Sequence, residues 1–402
     1  MKVGVGFADN ATSFDAGAAA AAEAVRSGGL DRVDLVLLFA TSQHNPGLLR
    51  DGIRAVVGPG ARLAGAGAVG VIGPDRLGLG GCQAGVAAVQ FDAGERFDLF
   101  RETGVAGREH EVGRALARRI AGTRFDGEPN LLVFYDSVNP DRARPPLNWA
   151  TPLLDGMAEV LEPFPPLAGA GCVGNLTFAA MPQWFDDEIT EQTAFALALS
   201  GGVRMDTTIL HGREPVSGYF TITRADGPTV LELDGRPALE VVAEALGHTA
   251  ADGVDDFRFS LTLGVNHGDP WGDFVEHDYM NRLCFDVDRE RGGLVMFEPD
   301  LVEGTAIQIM SRGGDLSYMR PGIERLLERL EGRRPVFALY INCAGRAGAL
   351  CGMEEEDAAQ VQAALKGRMP LLGFYSGVEI AAIRGRPRPL DWNGVLCVFS
   401  VP

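Results

Sequence analysis

Short apolar runs bounded by turn residues recur along the chain, and three of them share a context. Leu35–Ala40 runs into Thr41-Ser42-Gln43-His44-Asn45-Pro46, Leu131–Tyr135 into Asp136-Ser137-Val138-Asn139-Pro140, and Pro335–Ile341 into Asn342-Cys343-Ala344-Gly345-Arg346. Runs of this length with turn residues at both ends predict buried strands. The polar loop at each strand's end is where α/β proteins hold ligands. A glycine-rich run follows each of the first two: Leu63-Ala64-Gly65-Ala66-Gly67-Ala68-Val69-Gly70 returns as Leu167-Ala168-Gly169-Ala170-Gly171-Cys172-Val173-Gly174. A looser form, Leu371–Ile380, follows the third. The pattern predicts a strand, polar loop, helix and glycine-rich strand used at least three times. The expected fold is therefore α/β, with internally duplicated units forming stacked mixed sheets and helices on the outside.

Between these runs the spacing predicts helices from about Asp15 to Arg26, Pro46 to Val57, Gly107 to Ala121 and Ala150 to Leu161. Gly28-Gly29, Gly58 and Gly122 supply stops for the first three. A hairpin is expected before Gln83–Phe91, and Gln192–Leu199 is its counterpart in the second copy. After Val203 the texture changes. Strands are expected at Tyr219–Thr223, Val230–Leu233, Phe259–Val265, Tyr279–Val287, Gly293–Phe297 and Thr305–Met310. Helices are expected from Pro237 to Leu246, from Pro321 to Glu331 and from Glu354 to Lys366. The expected domains are 1–225, which holds the duplication, and 226–402.

Gly65, Gly67 and Gly70 match the dinucleotide fingerprint G-x-G-x-x-G, as do Gly169, Gly171 and Gly174. That fingerprint needs a helix immediately after it, whose N-terminus takes the pyrophosphate. Val71-Ile72-Gly73-Pro74 and Asn175-Leu176-Thr177-Phe178 do not start one. The glycines are expected instead to let two backbones, or a backbone and a ligand, approach closely within a sheet.

A net charge of −18 argues against nucleic acid or an anionic membrane surface as a partner. Lys2 and Lys366 are the only lysines among 36 Lys and Arg residues, a bias of GC-rich bacterial coding sequence. It leaves little for a P-loop, a Ser-Lys dyad or a Schiff base to use. Six cysteines without C-x-x-C spacing suit a reducing cytosol. The acidic residues Asp15 and Glu23 interrupt the alanine-rich run at 16–25, which fits neither a signal peptide nor a membrane span, so a cytoplasmic location is expected.

In order and spacing, a further set of short motifs resembles the FIST family of bacterial sensory domains over nearly the whole chain. The carriers are Leu35–Ser42 and Leu63–Gly70, then Gly212-Arg213-Glu214-Pro215-Val216 and Leu233-Asp234-Gly235-Arg236-Pro237-Ala238. Further along they are Val302-Glu303-Gly304, Cys343-Ala344-Gly345-Arg346, Gly373-Phe374-Tyr375-Ser376 with Glu379-Ile380, and Trp392-Asn393-Gly394. The chain departs from the family at Val378, where Gly precedes Glu-Ile, and at Trp392, where His precedes Asn. The resemblance implies a soluble domain that binds a small ligand, an amino acid or related metabolite, without a cofactor, and that feeds a separate signalling protein.

On this reading Arg346 pairs a ligand carboxylate through its planar fork, Glu379 pairs an ammonium group, and Asn393 supplies a neutral donor and acceptor. Cys343, Tyr375, Ser42 and Asn45 complete the expected ligand-binding set. The alternative for Arg346 and Glu379 is that they pair with each other or with backbone. Cys343, beside Arg346, is either an activated thiol or a buried small hydrophobe. The densest group of potential metal ligands, His267, Asp269, Asp273, Glu276, His277 and Asp278, matches no closed zinc spacing. Two other classes stay open: a hydrolase using Ser42 or Ser137, and an interaction scaffold.

Overall fold

The computed structural model describes residues 1–247, 257–258, 260–311 and 315–402. The first repeat runs β1 (Lys2–Asp9), α1 (Ser13–Gly28), β2 (Leu35–Ala40), α2 (Pro46–Val57), β3 (Arg62–Gly67), the short strands β4 (Gly70–Ile72) and β5 (Leu77–Leu79), and β6 (Gln83–Gln90). The second keeps the order: β7 (Arg96–Thr103), α3 (Glu109–Ala121), β8 (Asn130–Asp136), α4 (Ala150–Leu161), β9 (Leu167–Cys172), β10 (Gln183–Phe185), β11 (Glu188–Thr190) and β12 (Thr193–Ser200).

The third repeat opens with β13 (Arg204–Leu210) and is then interrupted. The insert is β14 (Phe220–Asp226), β15 (Thr229–Leu233), β16 (Arg236–Pro237), α5 (Ala238–Ala245), β17 (Thr262–Asn266), β18 (Tyr279–Asp288), β19 (Gly293–Met296) and β20 (Ala306–Ile309). Pairing of β14 with β15 closes these strands into a barrel. The repeat resumes with α6 (Met319–Glu328), β21 (Arg334–Cys343), α7 (Gly348–Cys351), α8 (Asp357–Leu365), β22 (Leu371–Ser376), β23 (Val378–Ile383), β24 (Arg386–Leu390) and β25 (Gly394–Val401).

Each repeat builds its own sheet in the same order, first strand, last strand, second, third, and donates its hairpin to another. The sheet orders are β1-β6-β2-β3, β7-β12-β8-β9 and β13-β25-β21-β22. The hairpin β4-β5 of the first repeat pairs with β22, β10-β11 of the second with β3, and β23-β24 of the third with β9. The exchange runs in a ring, so every sheet takes strands from two repeats.

β2 and β8 read as continuous apolar runs because both faces of these sheets are covered. One face packs under helices: α1 and α2 on the first sheet, α3 and α4 on the second, α6 and α8 on the third. The other faces meet in a shared core. At its centre Phe39, Phe134 and Phe374 interlock, with ring centroids 3.8 Å apart for Phe39–Phe374 and 5.5 Å for Phe39–Phe134.

The repeated glycines follow from this packing. Gly65 and Gly169 lie opposite Leu38 and Val133 in the parallel ladders. A Cβ at Gly169 would come within 1.8 Å of the Val133 carbonyl oxygen, and one at Gly65 within 2.3 Å of that of Leu38. Strand β4, not a helix, follows the first glycine run, which removes the dinucleotide reading.

The duplication, the stacked mixed sheets and the outer helices match the sequence expectation. The barrel and the strands β7 and β13 were not anticipated. β7 is amphipathic and only half buried, and β13 sits where polar residues alternate with apolar ones, so neither stands out as an apolar run. Of the strand expected from Phe259, residue 259 lies outside the described residues and β17 begins at Thr262. Among the described residues no helix is long and apolar enough to cross a membrane.

The helix pairs α1/α2 and α3/α4 touch backbone to backbone through glycine. Cβ atoms at Gly113 and Gly156 would lie 1.9 Å from the Leu153 oxygen and 2.0 Å from the His110 oxygen. Gly113→Ala is expected to lower stability by about 1–3 kcal/mol through overpacking. Urea denaturation checks this against Gly60→Ala, where the added methyl meets nothing within 4 Å.

Candidate functional site

A cavity of about 310 Å³ opens where the second repeat, the third repeat and the barrel meet. Its walls come from the chain after β9 (Val173, Phe178), the loop after β21 (Cys343, Ala344), Ser376 at the end of β22, and Leu283 and Phe297 of the barrel. Three of these elements contribute the C-terminal ends of strands, the usual position for ligands in α/β sheets. Most of the wall is apolar.

The polar side chains are Asn175, Ser376 and Asp391, of which Asp391 is the acid; it follows β24 and is 1% exposed. Its Oδ2 accepts a hydrogen bond from the Leu283 amide at 3.0 Å and lies 3.9 Å from Arg282 Nη1. Its Oδ1 has no partner among the described residues. Burial pushes this carboxyl up to about 6, and the Arg282 guanidinium opposes that shift. Arg282 is itself wholly buried, and its Nε donates to Asp300 Oδ1 at 2.7 Å. One guanidinium thus serves two carboxylates. Glu298 lies nearby and accepts from the Ala150 and Thr151 amides at the start of α4. Burial pushes Glu298 up to about 8.

The residues expected from the sequence divide into wall, support and remote positions. Cys343 lines the cavity, but burial, and then Glu379, push its thiol well above the usual range. It is held as a neutral thiol, not an activated one. Glu379 is fully buried and burial raises its carboxyl well above the ordinary range. Ser376 Oγ donates to its Oε1 at 2.7 Å and the Asn393 amide to its Oε2 at 3.2 Å. Asn393 Nδ2 donates to the Asp391 carbonyl at 2.7 Å, which fixes the turn carrying Asp391.

Arg346 does not pair with Glu379, and its side chain is not a wall of this cavity. It forms an ion pair with Asp357 at 2.7 Å and donates from Nη2 to Tyr318 Oη at 2.6 Å. Its Nε donates to Asn342 and its Nη1 to the backbone oxygens of His211 and Trp392. With every nitrogen engaged, Arg346 has no donor left for a ligand carboxylate; it pins the β21 loop to α8 and to the chain after β13. Tyr375 points to the helix side, where its hydroxyl donates to Glu356 at 3.0 Å.

Ser42 accepts from Asn175 Nδ2 at 3.4 Å, and Asn175 lines the cavity, so Ser42 stands one residue behind the wall. Asn45 is elsewhere: it caps α2, its Oδ1 accepting from the Leu48 amide at 2.9 Å. Ser137 is buried and donates to the Cys172 carbonyl. Among the described residues no group of three or more His, Cys, Asp or Glu is placed to hold a metal ion, and Asp278 of the expected cluster pairs with Arg384. Sequence reasoning missed Asp391 and the barrel residues. The available signal for Asp391 was an acid set between the apolar end of a strand and the Trp392-Asn393 motif.

A triplicated α/β body, with an inserted barrel and a cavity at their junction, defines the class of protein. The chain belongs to the FIST family: residues 34–236 match the FIST N domain and residues 238–382 the FIST C domain. FIST domains are small-molecule-sensing modules used in signal transduction. An uncharacterized protein of Mycobacterium bovis is 28% identical over 199 residues, 49% of this chain and 51% of that protein. One of Methanocaldococcus jannaschii is 24% identical over 254 residues, 60% of this chain and 47% of that protein. The chain thus spans about half the length of the curated relatives it matches. Among solved structures, a cyanuric acid hydrolase from A. caulinodans aligns with 50% of this chain and 72% of its own, at 11% identity and a TM-score of 0.25. A likeness that low bears on neither fold nor function.

Arg346→Ala is expected to destabilise the fold by about 3–5 kcal/mol, because it strands the buried Asp357 carboxylate. Urea denaturation of this variant measures it; a change under about 0.5 kcal/mol, the range of ordinary surface substitutions, would contradict the supporting role.

Proposed function

We propose that the chain is a receptor for a small apolar amine of the amino-acid-related metabolites, bound in the cavity at the junction of the second repeat, the third repeat and the barrel. The observation that carries this reading is Asp391, a buried carboxyl whose Oδ1 is unpartnered among the described residues, on a wall that is mostly apolar apart from Asn175 and Ser376. A buried acceptor of this kind is costly unless a donor meets it, and an ammonium group supplies both the donor and the opposite charge. The lining residues include no Lys, Arg or His. A free amino acid would leave its carboxylate without a cation there, since Arg346 is committed to Asp357. The reading therefore favours amines, amides or esters over the zwitterion. Leu283, Phe297 and Phe178 suit an aliphatic or aromatic body. Relay of the bound state to a separate signalling protein belongs to the same proposal.

The protonation of Asp391 gives the test its sign. Its carboxyl titrates at about 6 in the folded chain, and an ammonium ligand needs it ionised. Affinity for an apolar amine such as phenethylamine is expected to be steady above about pH 7 and to fall as pH drops through 6. Asp391→Asn is expected to weaken binding about tenfold or more and to flatten that pH dependence. Isothermal titration calorimetry and thermal shift, which rises by mass action with ligand, read both. Absence of binding by any amine, or binding indifferent to Asp391→Asn, would sink the proposal.

A further inference from the structure

A second cavity, of about 280 Å³, lies between α4, the barrel and β24. Three of its wall residues carry a buried polar atom without a hydrogen-bond partner among the described residues: Thr151 Oγ1, His267 Nε2 and Arg388 Nε. They come from three separate elements, α4, the loop after β17, and β24. One dry polar atom is an ordinary imperfection. Three on one wall form a pattern that a polar ligand resolves.

Charge decides the kind of ligand. Arg282 takes up Asp300, and Arg386 stands 3.5 Å from Asp155. Arg388, half buried, has no ion-pair partner among the described residues, although Asp300 and Asp155 on the same wall favour its charged form. Neighbouring groups register it. Burial pushes His267 down to about 4, with Arg388 and Arg282 adding to the shift, so its ring is neutral, and its Nε2 has no partner among the described residues. A flat carboxylate matches the guanidinium fork. A dianionic phosphate would add a second negative charge beside Asp155 and Asp300.

We propose that this cavity is a second ligand site, for a small monocarboxylate, held by Arg388 with the Thr151 hydroxyl and the His267 ring. The site is independent of the amine site, and neither proposal needs the other.

The test is calorimetric titration with propionate at constant ionic strength, with chloride as the balancing ion. Saturable binding is expected for the wild type and, unchanged, for Asp391→Asn. Arg388→Gln is expected to weaken it about tenfold or more. Should Arg388→Gln fail to fold, the wild type answers alone through the ¹³Cε1 resonance of His267, assigned with His267→Gln. A shift that saturates with propionate supports the site. Undiminished affinity in Arg388→Gln, no saturable binding by the wild type, or a His267 resonance that propionate does not move would overturn it.

Discussion

The exchange of hairpins among the three sheets is the constraint on which the rest of the molecule depends. Each repeat leaves the third strand of its own sheet open, and a hairpin from another repeat covers that edge. An uncovered edge is a row of unpaired amides and carbonyls, so no repeat is complete alone. The same geometry turns the three inner faces toward one another and sets Phe39, Phe134 and Phe374 in contact. It also brings the loops after β9, β21 and β22 to one end, where the barrel inserted after β13 covers them with Leu283 and Phe297. The cavity exists because chain segments far apart in sequence are forced to that end.

Burial of acids is the chemical theme there. Glu379, Asp391 and Glu298 are all removed from water, and each is displaced upward by that removal. They differ in how their oxygens are met. Glu379 and Glu298 have donors on both oxygens, Ser376 and Asn393 for the first, the α4 amides for the second. Among the described residues Asp391 has a donor on one oxygen only. That difference, and not the number of acids, sets Asp391 apart from the other two.

Much of this fold was readable in the residues because its strongest signal is local. Apolar runs, helix stops and glycine spacing report directly on buried strands, caps and close backbone approach, and α2 and α4 have the bounds the pattern predicts. The strand exchange is not local, since the partner of β4 lies three hundred residues away at β22. The site was half legible for the same reason. Of the motif residues Cys343 lines the cavity, while Glu379 and Asn393 bond to Ser376 and to the Asp391 carbonyl behind its wall, partners that spacing does not reveal. Arg346, expected to meet a ligand or else to pair with Glu379 or backbone, meets Asp357 and Tyr318 as well as backbone. Asp391 looked ordinary until its surroundings proved dry.

Arg282 makes the two cavities electrically neighbours. It is wholly buried, and it is counter-ion both to Asp391 on one wall and to Asp300 on the other. A buried cation shared in this way ties strand β18 to the turn after β24 and to the segment after β19. Loss of that one guanidinium would leave two buried carboxylates without their cation, a larger cost than the loss of either acid alone.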